Sequence, residues 1–201
     1  MAIQFQYNKT SLQALEKNLK MRVRALPTIK NKESALRLEV NRAKEHVLKL
    51  KQELEQRILS FDKMLALWGE FDTTLLRVGD VKMSIKKVAG VRIPVLDEVI
   101  YETNPFSIFN SPKWISDGLN LLKELAQLGI EQEFATQKLN LLEYARKKTT
   151  QKVNLFEKVQ IPGYEDAIRK IKRFMEDEEN LSKSSQKIVK SRQQQSKEVE
   201  L

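Results

Sequence analysis

The chain offers few side chains that could do chemistry. His46 is its only histidine, and the 201 residues include no cysteine. A histidine-rich metal site, thiolate catalysis and cysteine-ligated metals are therefore excluded. Neither the phosphate-binding pattern G-x-x-x-x-G-K-[ST] nor the dinucleotide-binding pattern G-x-G-x-x-G occurs. His46 adjoins apolar helix positions, which favours a surface histidine over a functional one.

One acidic run could be mistaken for a metal site. It spans residues 176–179 and reads Glu-Asp-Glu-Glu. Adjacent carboxylates on a helix point in different directions, so a solvated helix face is the better interpretation. We therefore expect no catalytic residue, no metal and no cofactor, and an enzyme is the least favoured class of protein.

Charge is unevenly distributed along the chain, whose net charge is +9. Residues 1–60 hold 13 Lys/Arg against 6 Asp/Glu, residues 140–201 hold 14 against 10, and residues 61–139 hold 9 against 11. Two basic ends favour an anionic partner, which could be nucleic acid, an acidic membrane surface or an acidic protein cavity. The basic residues near position 150 could grip phosphates, but no RNA-binding aromatic pattern accompanies them. They are Arg146, Lys147, Lys148 and Lys152.

The first long segment, residues 10–77, repeats apolar residues at steps of three and four. This spacing is typical of a coiled-coil helix with one stutter. Thr10 or Ser11 could cap its start, and Pro27 predicts a kink or a short break. A helix of about 60 residues would be roughly 90 Å long, so another helix must cover its apolar stripe. The stripe comprises Leu12, Leu15, Leu19, Val23, Leu26, Leu36, Val40, Ala43, Val47, Leu50, Leu54, Ile58, Phe61, Leu65 and Trp68.

The middle of the chain changes to a period of two. Apolar residues alternate with polar ones over residues 81–86, and the alternation resumes at residue 91 after Ala89-Gly90. This pattern predicts a β-hairpin, and Pro94 places its strand at a sheet edge. Because two strands alone are marginally stable in water, the hairpin should lean on the helices or on a partner.

A second long helix is predicted from Lys113 to about Ile161, with Asn110 or Ser111 as its cap. Its apolar stripe comprises Ile115, Leu119, Leu122, Ala126, Ile130, Phe134, Leu141, Ala145, Val153 and Phe156. Pro162-Gly163 predicts a break or kink. A last helix, with Ile168, Ile171 and Met175 as its stripe, should end near residue 180, and the polar remainder should be frayed when alone.

The predicted fold is mainly α: a long antiparallel two-helix coiled coil with a small β-hairpin head in the middle of the chain. Its segments are the N-terminal coiled-coil helix (1–78), the hairpin and loop head (79–112), the C-terminal coiled-coil helix (113–180) and a polar basic tail (181–201). The N-terminus does not resemble a signal peptide, and no apolar stretch is long enough to span a membrane.

One stretch carries a family resemblance. Residues 152–162, KVNLFEKVQIP, follow the basic, Thr-containing run EYARKKTT and resemble the signature of the D subunit of V-type and A-type ATPases. That signature leads from R-V-N-A-L-E into I-P and then an acidic-apolar helix. Lys152 replaces its Arg, and Leu155-Phe156 replaces its Ala-Leu. The matching residues are Val153, Asn154, Glu157, Ile161 and Pro162.

The rest of the chain agrees with this resemblance. Residues 26–40 are similar to the family's L-L-K-x-K-x-x-x-L pattern through Lys30, Lys32 and Leu36. The order of helix, hairpin, helix, proline and polar tail also matches over the whole chain.

The resemblance implies a central rotor stalk that catalyses nothing itself. Such a stalk couples ATP hydrolysis or synthesis in a hexamer of A and B subunits to ion translocation through a membrane ring. Both termini would lie inside the hexamer, and the middle would contact the F subunit and the membrane-proximal connector. It implies a cytoplasmic protein, peripheral to the membrane, with no nucleic-acid partner and no direct membrane insertion. The candidate hexamer contacts are Arg22, Arg24, Lys30, Lys170, Lys172 and Arg173.

Two other classes stay open. A nucleic-acid-binding coiled coil explains the charge of +9 but not the hairpin, and a structural scaffold explains the apolar stripe but not the signature around Pro162. The basic residues themselves have an alternative role, which is to keep a long helix soluble.

Overall fold

The computed structural model describes residues 3–60, 71–105, 112 and 114–199. Helix α1 spans Lys9–Ser60, strand β1 Leu76–Val88 and strand β2 Val91–Thr103. Helix α2, Trp114–Asn154, runs into a π-helical segment at Leu155–Gln160, and helix α3 follows at Ile161–Val199. The mainly helical fold with a central hairpin is therefore confirmed.

The chain packs as two compact units. The first, here called the terminal unit, comprises Met1–Asn31 and Thr150–Leu201. The second, here called the central unit, comprises Lys32–Thr149. Each unit has its own cluster of buried apolar side chains, so each is described separately.

The terminal unit is held together by an apolar seam between the start of α1 and α3. Its buried members are Leu15, Ala167, Ile168 and Ile171. The segment before α1 also contributes to this seam through Ile3 and Phe5. Asn8 caps α1, because its Oδ1 atom accepts the Ser11 backbone N–H at 2.7 Å. The predicted caps Thr10 and Ser11 are wrong, since both lie inside the helix.

The central unit buries a second seam, in which the hairpin packs on both helices. Leu36, Val40 and Ala43 of α1 form one cluster with Ile93 of β2 and Leu142 of α2. The hairpin leans on the helices as predicted, and its buried Ile93 shows which face of the sheet turns inward.

The hairpin turns through two residues with positive φ, Ala89 at 48° and Gly90 at 82°. Two such residues match the tight hairpin turn whose twist suits the flanking strands. The strands pair antiparallel from Leu76 opposite Thr103 to Val88 opposite Val91. Register shifts after Val78 and Lys82 mark bulges, which bend and twist a hairpin.

The first predicted helix ends too late, and the predicted stripe of the second is one residue out at Leu141 although its member Leu119 is buried. Residues 76–77 belong to β1, so the predicted extent of the first helix, to residue 77, is wrong at its end. In α2 the seam passes through fully buried Leu142, whereas the predicted Leu141 is 41% exposed. Val23 and Ile58 are likewise exposed despite fitting the stripe of α1. The predicted stripe members Phe61, Leu65 and Trp68, and the predicted caps Asn110 and Ser111, lie outside the described residues.

Prolines interrupt the helices less than expected. α1 continues through Pro27, so no break occurs there, and a kink at this residue stays a prediction. Pro162 and Gly163 lie inside α3, and the departure from α-helical geometry is the π segment just before them. α3 also continues to Val199, beyond the predicted end near residue 180, because no glycine or proline follows Gly163.

Candidate functional site

The residues that match the family signature surround the π-helical segment of the terminal unit. Val153 and Asn154 close α2, Glu157 lies within the segment, and Ile161 and Pro162 open α3. The Ile161 N–H bonds to the Phe156 carbonyl five residues back, which is the π-helical pattern. A proline inside a helix has no N–H to donate and crowds the carbonyl four residues earlier. The wider π turn before Pro162 accommodates both effects without ending the helix.

Arg22 of α1 contacts the π segment within the terminal unit. Its Nε atom donates a hydrogen bond of 2.7 Å to Gln160 Oε1, and its Nη1 atom donates to the Asn18 carbonyl at 3.2 Å. The guanidinium carbon lies 4.7 Å from the Tyr164 ring centroid and 5.9 Å from that of Phe156. A planar guanidinium can stack on a ring and donate at its edge at once, which a lysine cannot do.

Lys30 makes a second tie to the same segment. Its Nζ atom lies 2.7 Å from Glu157 Oε1, and both side chains are about half exposed. Such an exposed pair contributes about 0.2–1 kcal/mol. Glu157 therefore has a local structural role, in addition to any role at a partner surface.

The Ile3 side chain approaches the backbone of Gly163 closely and completes the site. A Cβ atom there would lie 3.0 Å from Ile3 Cδ1, tighter than ordinary side-chain packing. The residue after Pro162 therefore lets the N-terminal segment lie against the start of α3.

The three candidate cations of α3 lie on its exposed surface beyond the buried seam. Lys172 forms an ion pair with Glu16 of α1 at 2.9 Å, and Lys170 pairs with Asp166 at 3.0 Å. The Lys170 hydrogen bond and charge lower the pKa of the Asp166 carboxyl, and the nearby charges of Arg169 and Arg173 add to the effect. Arg173 thus contributes to the local field without a direct ion pair within the described part of the chain.

The structure sorts the six predicted contacts into two groups, and all six lie in the terminal unit. Arg22, Lys30, Lys170 and Lys172 already have partners within the chain. Arg24 is exposed and forms no hydrogen bond or ion pair with any residue that the structure describes. Arg24 and Arg173 are therefore the two of these six residues whose side chains form neither a hydrogen bond nor an ion pair within the described part of the chain.

The sequence analysis did not identify the exposed apolar side chains of the terminal unit. Met21, Leu155, Val159 and Phe174 are between 40% and 52% exposed. Phe174 also contacts the exposed Tyr7, with ring centroids 4.9 Å apart. Exposed apolar side chains beside cations suit protein contact better than simple solvation does.

Residues outside the terminal unit offer little for chemistry. His46 is exposed, and it lines a groove of about 290 Å³ in the central unit with Asp97, Glu131 and Lys138. Within residues 3–60, 71–105, 112 and 114–199, no three His, Cys, Asp or Glu side chains come together to hold a metal. None of the described helices is long and apolar enough to cross a membrane.

Trp114, at the start of α2, packs inside the central unit. Its ring lies 6.3 Å from that of buried Phe71, and both rings approach Gly118. Trp114 therefore has a packing role within the central unit.

Comparisons with known proteins agree with these features. The model of the family described as the D subunit of ATP synthase matches residues 11–191. The D subunit of the V-type ATP synthase of Borreliella burgdorferi is 31% identical over 187 residues, covering 91% of this chain and 92% of the relative. That of Chlamydia trachomatis serovar L2 is 28% identical over 203 residues, covering 98% and 100%. That of Chlamydia caviae is 27% identical over 178 residues, covering 86% of each.

Proposed function

Because this chain belongs to the family of ATP synthase D subunits, we propose that it is the central rotor stalk of a V-type rotary ATPase. It couples ATP hydrolysis or synthesis in a hexamer of A and B subunits to ion translocation through the membrane ring. It has no catalytic residue of its own. It works on the cytoplasmic side, peripheral to the membrane within a membrane-bound complex, and it also contacts the F subunit and the membrane-proximal connector.

The observation that carries this proposal is the extent of the family match. Residues 11–191 include nearly all of α1, the whole hairpin, the π segment and most of α3. A match confined to the heptad-like stripe would have been compatible with any coiled coil. Here it includes the signature and the Arg22 and Lys30 ties that hold it.

The ties across the terminal unit suit a part that transmits torque. Two helices that only shared an apolar seam could slide along it, since apolar contact is non-directional. Arg22 to Gln160, Lys30 to Glu157 and Lys172 to Glu16 add directional contacts that oppose such sliding.

The surface of the same unit suits insertion into a protein bore. It combines Arg24 and Arg173, which form no ion pair among the residues that the structure describes, with exposed apolar side chains such as Leu155 and Val159. We assign the six basic residues as hexamer contacts on this basis, with Arg24 and Arg173 as the principal ones.

Co-purification tests the proposal. The full chain, tagged and produced with the A and B subunits of its own organism, should be recovered with both, and the assembly should hydrolyse ATP. The chain alone should hydrolyse none after stringent purification. Recovery without A and B, or hydrolysis proportional to the concentration of the pure chain, would refute the rotor assignment. Salt-sensitive recovery of DNA or RNA in their place would instead support a nucleic-acid-binding coiled coil.

A further inference from the structure

The hairpin turns an apolar face away from the core of the central unit. Directly opposite residues of an antiparallel pair point to the same side of the sheet. Met83 pairs with Leu96, and Ile85 pairs with Pro94, so these four share one face. Ile93, one position along from Pro94, is only 1% exposed and points into the core. Met83 and Ile85 are 62% and 73% exposed, so the β1 side of this face is open, whereas Pro94 and Leu96 are half-buried and line the groove that contains His46.

The same face ends in a basic tip. Lys87 lies directly opposite Arg92, and like charges in that arrangement destabilise a hairpin. Lys86 pairs with Ile93 and so lies on the other face, whereas the Lys32 side chain of α1 reaches the turn beside Gly90. All four cations are exposed, and none forms an ion pair with the residues described.

A neighbouring lysine of β1, in contrast, has a carboxylate partner. Lys82 on the same strand pairs with Glu98 at 2.8 Å, and this contact raises the pKa of the lysine. No comparable partner stands near Lys87 and Arg92 in the described strands. A two-stranded sheet is marginal even without such repulsion, so an uncompensated tip points to a role outside folding.

We infer that this surface, made of Met83, Ile85, Pro94 and Leu96 with the cations Lys87, Arg92 and Lys32 at its tip, docks an acidic, partly apolar segment of another protein of the assembly. Charge complementarity selects this class of partner. An apolar strip that ends in cations without an ion pair among the described residues matches an apolar segment that ends in carboxylates, and complementary charges both steer the encounter and fix the register. The inference rests on the proposed function only in placing that partner within the rotary complex.

Site-specific photo-crosslinking in the assembled complex tests this surface. The chain carries p-benzoylphenylalanine in place of Ile85, and a matched control carries it in place of Leu38, an α1 residue of the same unit that is 61% exposed. The Ile85 position should crosslink to one partner protein, within a peptide rich in Asp or Glu. In a K87E/R92E background the yield of that adduct should fall several-fold, and the Leu38 control should not form it.

The outcomes separate this inference from the proposed function. If A and B fail to co-purify with the wild-type chain, the rotor assignment fails first. If the complex assembles but Ile85 captures only lipid, only nucleic acid or nothing, the docking surface is overturned while the rotor assignment stands. If the yield of the adduct is the same with and without K87E/R92E, the role of the basic tip is overturned. Because Ile85 and the tip residues are exposed, these changes spare the core, and circular dichroism of each variant checks the fold.

Discussion

The guanidinium of Arg22 lies 4.7 Å from the Tyr164 ring centroid while its Nε atom donates to Gln160. One side chain of α1 thereby holds both the end of the π segment and the first turn of α3. We expect Arg22→Ala to lower the free energy of unfolding by about 1–3 kcal/mol, because a charged hydrogen bond and a cation–π contact are both lost. Arg22→Lys should recover little of this loss, since an ammonium cannot donate and stack in the same way. Urea unfolding measures the effect.

The matched control is Arg24→Ala. It removes the same charge two residues along the same helix from an exposed side chain with no partner among the described residues. Equal losses for Arg22→Ala and Arg24→Ala would show that Arg22 acts only as a surface charge.

Two glycines should respond to alanine in opposite directions. Gly129 lies inside α2, and no described atom lies within 4 Å of the Cβ that alanine would add. Gly129→Ala should therefore stabilise the chain by about 0.5–1 kcal/mol. Gly90 has φ of 82° in the hairpin turn, so Gly90→Ala should destabilise it by about 1–2 kcal/mol. Thermal melting of both variants checks the signs, and a destabilising Gly129→Ala would indicate that the open space is filled in solution.

Leu141 and Leu142 test which side of α2 packs into the core of the central unit. Leu142 is fully buried and Leu141 is 41% exposed. Leu142→Ala should cost about 2–5 kcal/mol because it opens a cavity in the cluster with Leu36 and Val40. Leu141→Ala should change the free energy of unfolding by no more than about 0.5 kcal/mol. The reverse order of effects in denaturant unfolding would restore the register expected from the sequence.

Those leucines also show the limit of predicting buried residues from the spacing of apolar residues. Steps of three and four identified the helices, and the change to period two located the hairpin, because both follow from backbone geometry. Two adjacent leucines satisfy the same pattern within one residue, so only the packing against Leu36 and Ile93 decides which is buried. The start of β1 was missed because Gly79 and Asp80 interrupt the alternation.

The site was less predictable than the fold. Its motif residues could be read directly, but the π segment depends on Pro162 together with contacts from α1 more than a hundred residues earlier. A contact between residues that are far apart in the chain, such as Arg22 and Gln160, produces no periodic pattern in the sequence. The helix after residue 180 was missed for another reason: its apolar residues Leu181, Ile188 and Val189 are exposed, so no buried stripe signals it.

Asp166 should titrate below its ordinary pKa of 3.8, because Lys170 hydrogen-bonds and attracts the ionised carboxyl. A carboxyl whose pKa is lowered by folding stabilises the fold fully above the unfolded-state pKa. That contribution is lost as the pH falls through the lower folded-state pKa. Carboxyl-carbon NMR titration should place the Asp166 midpoint below 3.8, and Lys170→Gln should raise it toward that value. A midpoint unaffected by Lys170→Gln would show that the pair is absent in solution.

The cations of the terminal unit should matter for assembly and little for folding. Arg24 and Arg173 have no ion-pair partner among the described residues, and exposed charges contribute little to stability. R24Q/R173Q should therefore leave the melting temperature nearly unchanged while slowing association with the A/B hexamer at low salt. The difference from the wild type should shrink as salt rises, because screening removes the attraction that the variant already lacks.

The control R37Q/K49Q removes two exposed charges from the central-unit part of α1 and should associate like the wild type. Stopped-flow association across a salt series measures all three proteins. Identical rates for R24Q/R173Q and the wild type at low salt would confine these arginines to keeping the helices soluble, and binding would then depend on shape and apolar contacts such as Leu155 and Val159.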